Sequence, residues 1–173
     1  LTLGLRAENY NLDTIVDYED PNFLQSDNNP SFDDWLFGGK ITIEHDLNNS
    51  STTFASITKG YKAGGANIFP GLEENFATSY GTEDLWNYEL GLRSSLLNGA
   101  LISQITMFYL DRENAQLRSS TGVGVDFTFG TTNAGDARHY GAELESTWFI
   151  NQNWSFSAGL GLLDTELDSS GVE

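Results

Sequence analysis

The chain contains no cysteine, which excludes a disulfide framework, a thiolate metal site and a cysteine nucleophile. Only two histidines occur, His45 and His139, too few for a multi-histidine metal centre. Basic residues are scarce: 8 Lys and Arg stand against 25 Asp and Glu in 173 residues, a net charge of −17. A nucleic-acid binder needs a basic footprint, so that class is excluded. No apolar run approaches the ~18 residues of a membrane helix. That absence does not argue for a water-soluble protein, because membrane β-barrel strands alternate and never form long apolar runs. There is no G-x-S-x-G, no phosphate loop and no nucleophile–base set, so neither catalysis nor a cofactor is expected. Disorder is excluded by a hydrophobic fraction of 39% and an aromatic fraction of 13%.

What the chain does have is a period of two. Glycine is abundant (18), proline rare (3), and apolar residues alternate with polar ones, the signature of strands. Over Leu85–Leu97, Trp86, Tyr88, Leu90, Leu92 and Leu96 share a face opposite Asn87, Glu89, Gly91, Arg93 and Ser95. Over His139–Ile150, Tyr140, Ala142, Leu144, Trp148 and Ile150 oppose His139, Gly141, Glu143, Glu145 and Thr147. Trp154–Leu163, Leu1–Tyr10 and Phe37–His45 alternate in the same way. Thr53–Tyr61 puts Ala55 and Ile57 on one face and then meets Lys59, which predicts a bulge or a strand end there. Ala100–Arg112 is apolar on both sides and its facing is not assignable.

The connections alternate in length. Asp46–Ser50, Asn98–Gly99 and Asn151–Asn153 are tight, and Asn98-Gly99 is a strong hairpin signal because both residues tolerate positive φ. Asn11–Trp35, Lys62–Thr82 and Glu113–Arg138 are long. An antiparallel meander with turns at one end and loops at the other has this pattern. Within the third loop, Gln116–Ser119 and Val123–Phe129 read as a further hairpin.

A soluble all-β sandwich also alternates, but three features favour a membrane barrel. The polar faces mix glycine with charge, as a wide lumen allows. Aromatics gather near strand ends, as in interfacial girdles. The apolar bands are about 9–11 residues long, enough for a tilted strand to cross a bilayer. Arg93 on a lipid face near mid-membrane would cost roughly 2–4 kcal/mol, so Arg93, Glu89, Glu143 and Glu145 are expected to face the lumen.

Five blocks carry a family resemblance. FASITKGYKAGGAN (Phe54–Asn67) resembles YASxSRGYKAGGFN of TonB-dependent outer-membrane receptors. LWNYELGLRSSLL (Leu85–Leu97), FYLDR (Phe108–Arg112), NAGDARHYGAELE (Asn133–Glu145) and AGLGLLDTE (Ala158–Glu166) resemble later blocks of the same family, in the same order. The match is good from about Leu36 to Glu166 and weaker over Leu1–Trp35. The resemblance implies an all-β, up-and-down wall of about 22 strands plugged by an N-terminal domain. Residues 1–173 would then be about seven or eight strands of that barrel, with plug and remaining strands outside this stretch. The implied setting is the outer membrane of a Gram-negative bacterium, with membrane lipid around the wall. The implied activity is uptake of a scarce ligand, typically a ferric siderophore, energised through TonB. A passive porin, an adhesive barrel and a soluble all-β binding domain are the alternatives.

No ligand-contacting residue can be assigned from the sequence. Asn11–Trp35 holds Asp13, Asp17, Glu19, Asp20, Asp27, Asp33 and Asp34 and no basic residue. Oxygen ligands for a hard cation cluster there, but the spacing fits no EF-hand and a solvated acidic loop is the expected reading. Tyr61 and Lys62 stand where a strand meets a long loop and are expected to pack there rather than line a vestibule. His139 is expected to be a hydrogen-bonded structural residue, and Gly135 to supply positive φ or close approach. Glu143 and Glu145, two apart on one face, could do acid–base chemistry, but in a lumen they are expected to meet Arg or Lys from the wall or plug.

Overall fold

The computed structural model describes residues 1–15, 30–67, 77–124 and 127–168. In chain order the strands are β1 (Thr2–Asp13), β2 (Ser31–Asn48), β3 (Ser51–Lys62), β4 (Gly65–Ala66), β5 (Ser79–Tyr80) and β6 (Glu83–Leu96). There follow β7 (Leu101–Glu113), β8 (Gln116–Thr121), β9 (Thr128–Asn133), β10 (Asp136–Asn151) and β11 (Trp154–Asp168). Seven of them form one antiparallel sheet in the order β1-β2-β3-β6-β7-β10-β11, which is also their chain order. The pairs β4–β5 and β8–β9 lie within the second and third long connections.

The tight turns all lie at one end of the sheet, and asparagine builds each of them. Asn48 Oδ1 accepts the Ser50 N–H at 2.8 Å, and Asn151 Oδ1 accepts those of Asn153 and Trp154 at 2.9 and 3.1 Å. The turn at Asn98-Gly99 includes Leu97 as well; all three residues have positive φ, at 54°, 55° and 88°. The long connections lie at the other end.

Alternation along each strand gives the sheet two faces, and the few buried side chains of its middle lie on the polar one. The apolar face is exposed: Leu90 and Met107 are each 57% accessible, and Leu3, Ile41, Ile57, Leu160 and Leu162 are exposed beside them. On the polar face Phe54, Ser56 and Thr106 are buried. Register neighbours Tyr88, Tyr109 and Tyr140 cross the apolar face nearer the loops, with Tyr88 and Tyr109 ring centroids 6.3 Å apart. Trp148 and Phe156 pair near the turns. Between these aromatic rows lie purely aliphatic ones, such as Leu92, Ile105, Leu144 and Leu160. Two aromatic girdles around an outward apolar band are how a barrel wall meets a bilayer.

The unassigned strand, β7, now has a facing. Ile105, Met107 and Tyr109 are exposed on the apolar face, which leaves Gln104, Thr106 and Phe108 on the polar one. Phe108 blurred the pattern because it is an aromatic ring on the polar side, where it lies over Gly141, its register partner. Phe54 lies over Gly91, its own partner, in the same way. A Cβ at Gly91 would strike the Phe54 ring, and at Gly141 it would strike the Leu162 carbonyl oxygen and come within 2.9 Å of Phe108 Cζ. Gly91→Ala and Gly141→Ala are therefore expected to lower stability, by about 1–3 kcal/mol. Gly141→Ala is the costlier because backbone yields less than a ring. Guanidinium unfolding in lipid vesicles would check this, and equal stability of both variants with the parent would refute it.

Three strand boundaries differ from expectation. β2 starts at Ser31 and pairs with β1 as far as Asp13, so Asp33 and Asp34 lie on a strand that outruns the apolar band. Asp17, Glu19, Asp20 and Asp27 lie outside the described residues. β3 does not bulge at Lys59; it pairs with β6 up to Lys62↔Glu83. Its ladder with β2 does end at Gly39↔Lys59. In the third loop the return strand is Thr128–Asn133 rather than Val123–Phe129, while Gln116–Thr121 is where expected.

Candidate functional site

At the loop end of the sheet, the second and third long connections are tied together around one carboxylate. Glu83 opens β6, five residues to the loop side of Tyr88, and its side chain is 2% exposed. Arg112, near the end of β7, meets it with both arms of its guanidinium: Nε donates to Oε1 at 2.7 Å and Nη2 to Oε2 at 3.0 Å. The Gln116 backbone N–H donates to the same Oε2 at 2.7 Å. A buried carboxylate needs this many donors, because an unpaired one would carry a desolvation cost of several kcal/mol.

The knot spreads through side-chain amides. Gln116 Nε2 points at the carbonyl oxygens of Ala63 and Gly81, both at 2.9 Å, and of Lys62 at 3.3 Å. Asn133 accepts the Gly81 N–H at 2.7 Å and donates to the Gly81 and Asn114 carbonyls at 3.0 and 2.8 Å. Asn67 accepts from Thr131 N–H and donates to Thr131 and Ala77 carbonyls, each at 2.8 Å. Beneath them Ala115, fully buried, exchanges backbone bonds with Gly135 and Ala134. Gly135 has φ 105°, a conformation that favours glycine. The GYKAGGAN, FYLDR and NAG blocks, distant in sequence, thus meet in one hydrogen-bonded cluster.

Burial pushes the Glu83 carboxyl up, but the Arg112 and Gln116 hydrogen bonds and the charges of Arg112 and Lys62 outweigh it. The net shift is downward from the ordinary glutamate value of 4.5. A lowered folded pKa stabilises the charged form, so the knot contributes fully above that ordinary value. Its contribution fades as pH falls below 4.5 and is gone once the folded pKa is passed. Acid is therefore expected to open residues 63–67, 77–82, 114–124 and 127–135 before the wall unfolds. Amide exchange of these loops at pH 7 and pH 3 measures it. A Glu83→Gln variant should lose most of the pH response, and an unchanged response there would refute the assignment.

Chemically the knot is a clamp: its donors and acceptors are spent on one another. The described residues hold no group of three or more His, Asp or Glu suited to a metal ion.

The residues singled out from the sequence fall elsewhere. Tyr61 donates to Glu8 at 2.8 Å, with the Arg6 guanidinium 5.4 Å from its ring centroid, so it packs on the polar face. Lys62 enters the knot through its carbonyl, which Gln116 Nε2 approaches, and through its charge, which helps to keep Glu83 ionised. His139 Nδ1 lies 3.1 Å from Thr165 Oγ1, a structural contact on the exposed polar face. Arg93 and Glu89 share the polar face, as expected. Arg93 Nη1 donates to Glu44 at 2.8 Å and Nε to Gln104 at 3.0 Å, with its guanidinium 4.4 Å from the Phe54 ring centroid. Glu89 accepts from Ser56 at 2.8 Å and Asn87 at 2.9 Å. Glu143 and Glu145 lie exposed on that face beside Thr106 and Gln104.

The sequence reading missed Glu83, Gln116 and Asn67. One signal was available: Arg112 closes the FYLDR block near the end of a strand, and an arginine on a wall near its rim needs a carboxylate. Which carboxylate required the register.

A family model described as "TonB dependent receptor-like, beta-barrel" matches residues 1–171. The pesticin receptor of Yersinia enterocolitica is 32% identical over 142 residues, 81% of this chain and 20% of that protein. The Yersinia pestis pesticin receptor is 30% identical over the same length. Among solved structures, the ferric yersiniabactin uptake receptor of Yersinia pestis superposes with a TM-score of 0.66 at 25% identity. That match covers 82% of this chain and 20% of that one. The ferripyoverdine receptor of the Pseudomonas aeruginosa outer membrane, at 19% identity and a TM-score of 0.59, shares the fold; 81% of this chain and 19% of that one are covered. The chain spans about one fifth of the length of the curated relatives it matches.

Proposed function

The chain belongs to the TonB-dependent receptor β-barrel family, and from that premise we propose that it is part of the wall of an outer-membrane receptor that takes up a ferric siderophore. Residues 1–173 supply strands and loop bases of the barrel domain, while plug and remaining strands lie outside this stretch. The polar face lines the lumen, the apolar face meets membrane lipid, and the long connections reach the cell surface. Energy reaches the receptor from TonB through the plug. The protein is a transporter and carries out no chemical conversion.

The observation that carries this reading is the inverted sheet, apolar outside and polar inside, over the same residues the family model matches. A soluble binding domain would hide the aliphatic rows between Tyr109 and Trp148. The siderophore class is supported by the receptor for ferric yersiniabactin among its structural neighbours. The test is growth of an iron-starved deletion strain on a panel of ferric siderophores. Loss of growth on at least one, restored by the gene and dependent on TonB, is the expected result. Unchanged growth on all of them would overturn the proposal.

A further inference from the structure

On the apolar face, β2 presents Phe37, Gly39 and Ile41 in succession. Gly39 has no side chain to offer, and a cleft of about 260 Å³ opens over it. Leu5 of β1 walls one side; Ile57 and Lys59 of β3 and Trp86 of β6 wall the other. The register sets Leu5, Gly39, Lys59 and Trp86 in one row across four strands, so the cleft is bounded on both sides by the sheet itself. Its lining is almost entirely apolar, although Lys40 and Lys59 contribute to it. The Lys59 ammonium lies 5.8 Å from the Trp86 ring centroid and 3.3 Å from an Asp84 carboxylate oxygen. Trp86 stacks on Tyr88 of the loop-side girdle, so the charged end of the cleft stands where a bilayer has its head groups.

An apolar cleft with an ammonium at its interfacial end is complementary to an amphiphile with an acyl chain and an anionic head. The cleft faces away from the polar face, so a ligand that passes along the polar face does not meet it. An ammonium has three N–H donors and Asp84 takes one, which leaves two for phosphate oxygens. We infer that this cleft seats an acyl chain of one phosphate-bearing lipid of the outer leaflet, whose phosphate is held by Lys59. The inference rests on the membrane-wall reading above.

The test uses the whole receptor extracted from membranes in mild detergent, with retained lipid identified by native mass spectrometry. One tightly held phosphate-bearing lipid is expected. Ile57→Trp, which fills the cleft from its wall, should abolish retention. Lys59→Gln should lower it about fivefold, and Asp84→Asn, which frees Lys59, should raise it. If Ile57→Trp fails to assemble, the opposed effects of the two charge variants carry the test. Equal retention by parent and Lys59→Gln, or equal retention of an uncharged lipid, would overturn the inference. Uptake of ferric siderophore by the same variants keeps the outcomes separate. Lost lipid with uptake intact bears on the cleft alone, whereas a parent protein that needs no detergent would sink the membrane reading itself.

Discussion

Arg112→Met is expected to cost about 3–5 kcal/mol, because it leaves Glu83 buried and charged without its main partner. The loss is far larger than for an ordinary surface pair, since the Glu83 side chain is 2% exposed and Arg112 23%. The effect should be concentrated in the loops. The Gln116 N–H shares the same carboxylate oxygen, and through Gln116 the carbonyls of Ala63 and Gly81 are tied in. Limited proteolysis of receptor in vesicles should cut residues 63–67, 77–82, 114–124 and 127–135 faster, with the strands of the main sheet still protected. Pairing Arg112→Met with Glu83→Leu removes both charges and should recover much of the loss, because the penalty lies in the orphaned carboxylate more than in the lost attraction. If Arg112→Met alone is silent, or the double variant is as damaged as the single, the knot does not hold the loops.

How much of this was legible beforehand follows from range. The tight turns at Asn98-Gly99 and Asn151 and the facing of Arg93 and Glu143 are set by neighbours in sequence, so pattern reading reached them. Glu83 and Arg112 are separated by 29 residues and Glu83 and Gln116 by 33. Nothing local marks them as partners; only the pairing of β6 with β7 brings them together. Phe108 hid the facing of β7 because the reason it is tolerated inside, the missing side chain of Gly141, sits on another strand. Asp33 and Asp34 looked like loop because acidic residues disfavour strands, yet β1 continues to Asp13 and draws them into its ladder. Asn9 lies 3.5 Å from Asp33, and Thr82 donates to Asp34 at 3.2 Å, so part of the acidic stretch is fixed to the wall.

The facing of the wall makes the second large prediction. Glu143 and Leu144 are adjacent on β10 and lie at one depth, but on opposite faces. Leu144 is flanked in register by Ile105 and Leu160 and is four residues from both Tyr140 and Trp148, the middle of the apolar band. Leu144→Arg puts a guanidinium into hydrocarbon and is expected to cost about 2–4 kcal/mol in guanidinium unfolding from lipid vesicles. Glu143→Arg puts the same group on the polar face beside Thr106 and Gly161, where water and carboxylates such as Glu145 can meet it. Its cost is expected within about 0.5 kcal/mol, that of an ordinary surface change. A soluble sheet with a hidden apolar face would also resist Leu144→Arg, so depth must decide. Ile150→Arg, beyond Trp148 at the turn end of β10, should cost only about 0–1 kcal/mol, because a bilayer's penalty falls away at the girdle. Equal costs at Leu144 and Ile150 would mean that the face is buried against protein, and a larger cost at Glu143 than at Leu144 would reverse inside and outside.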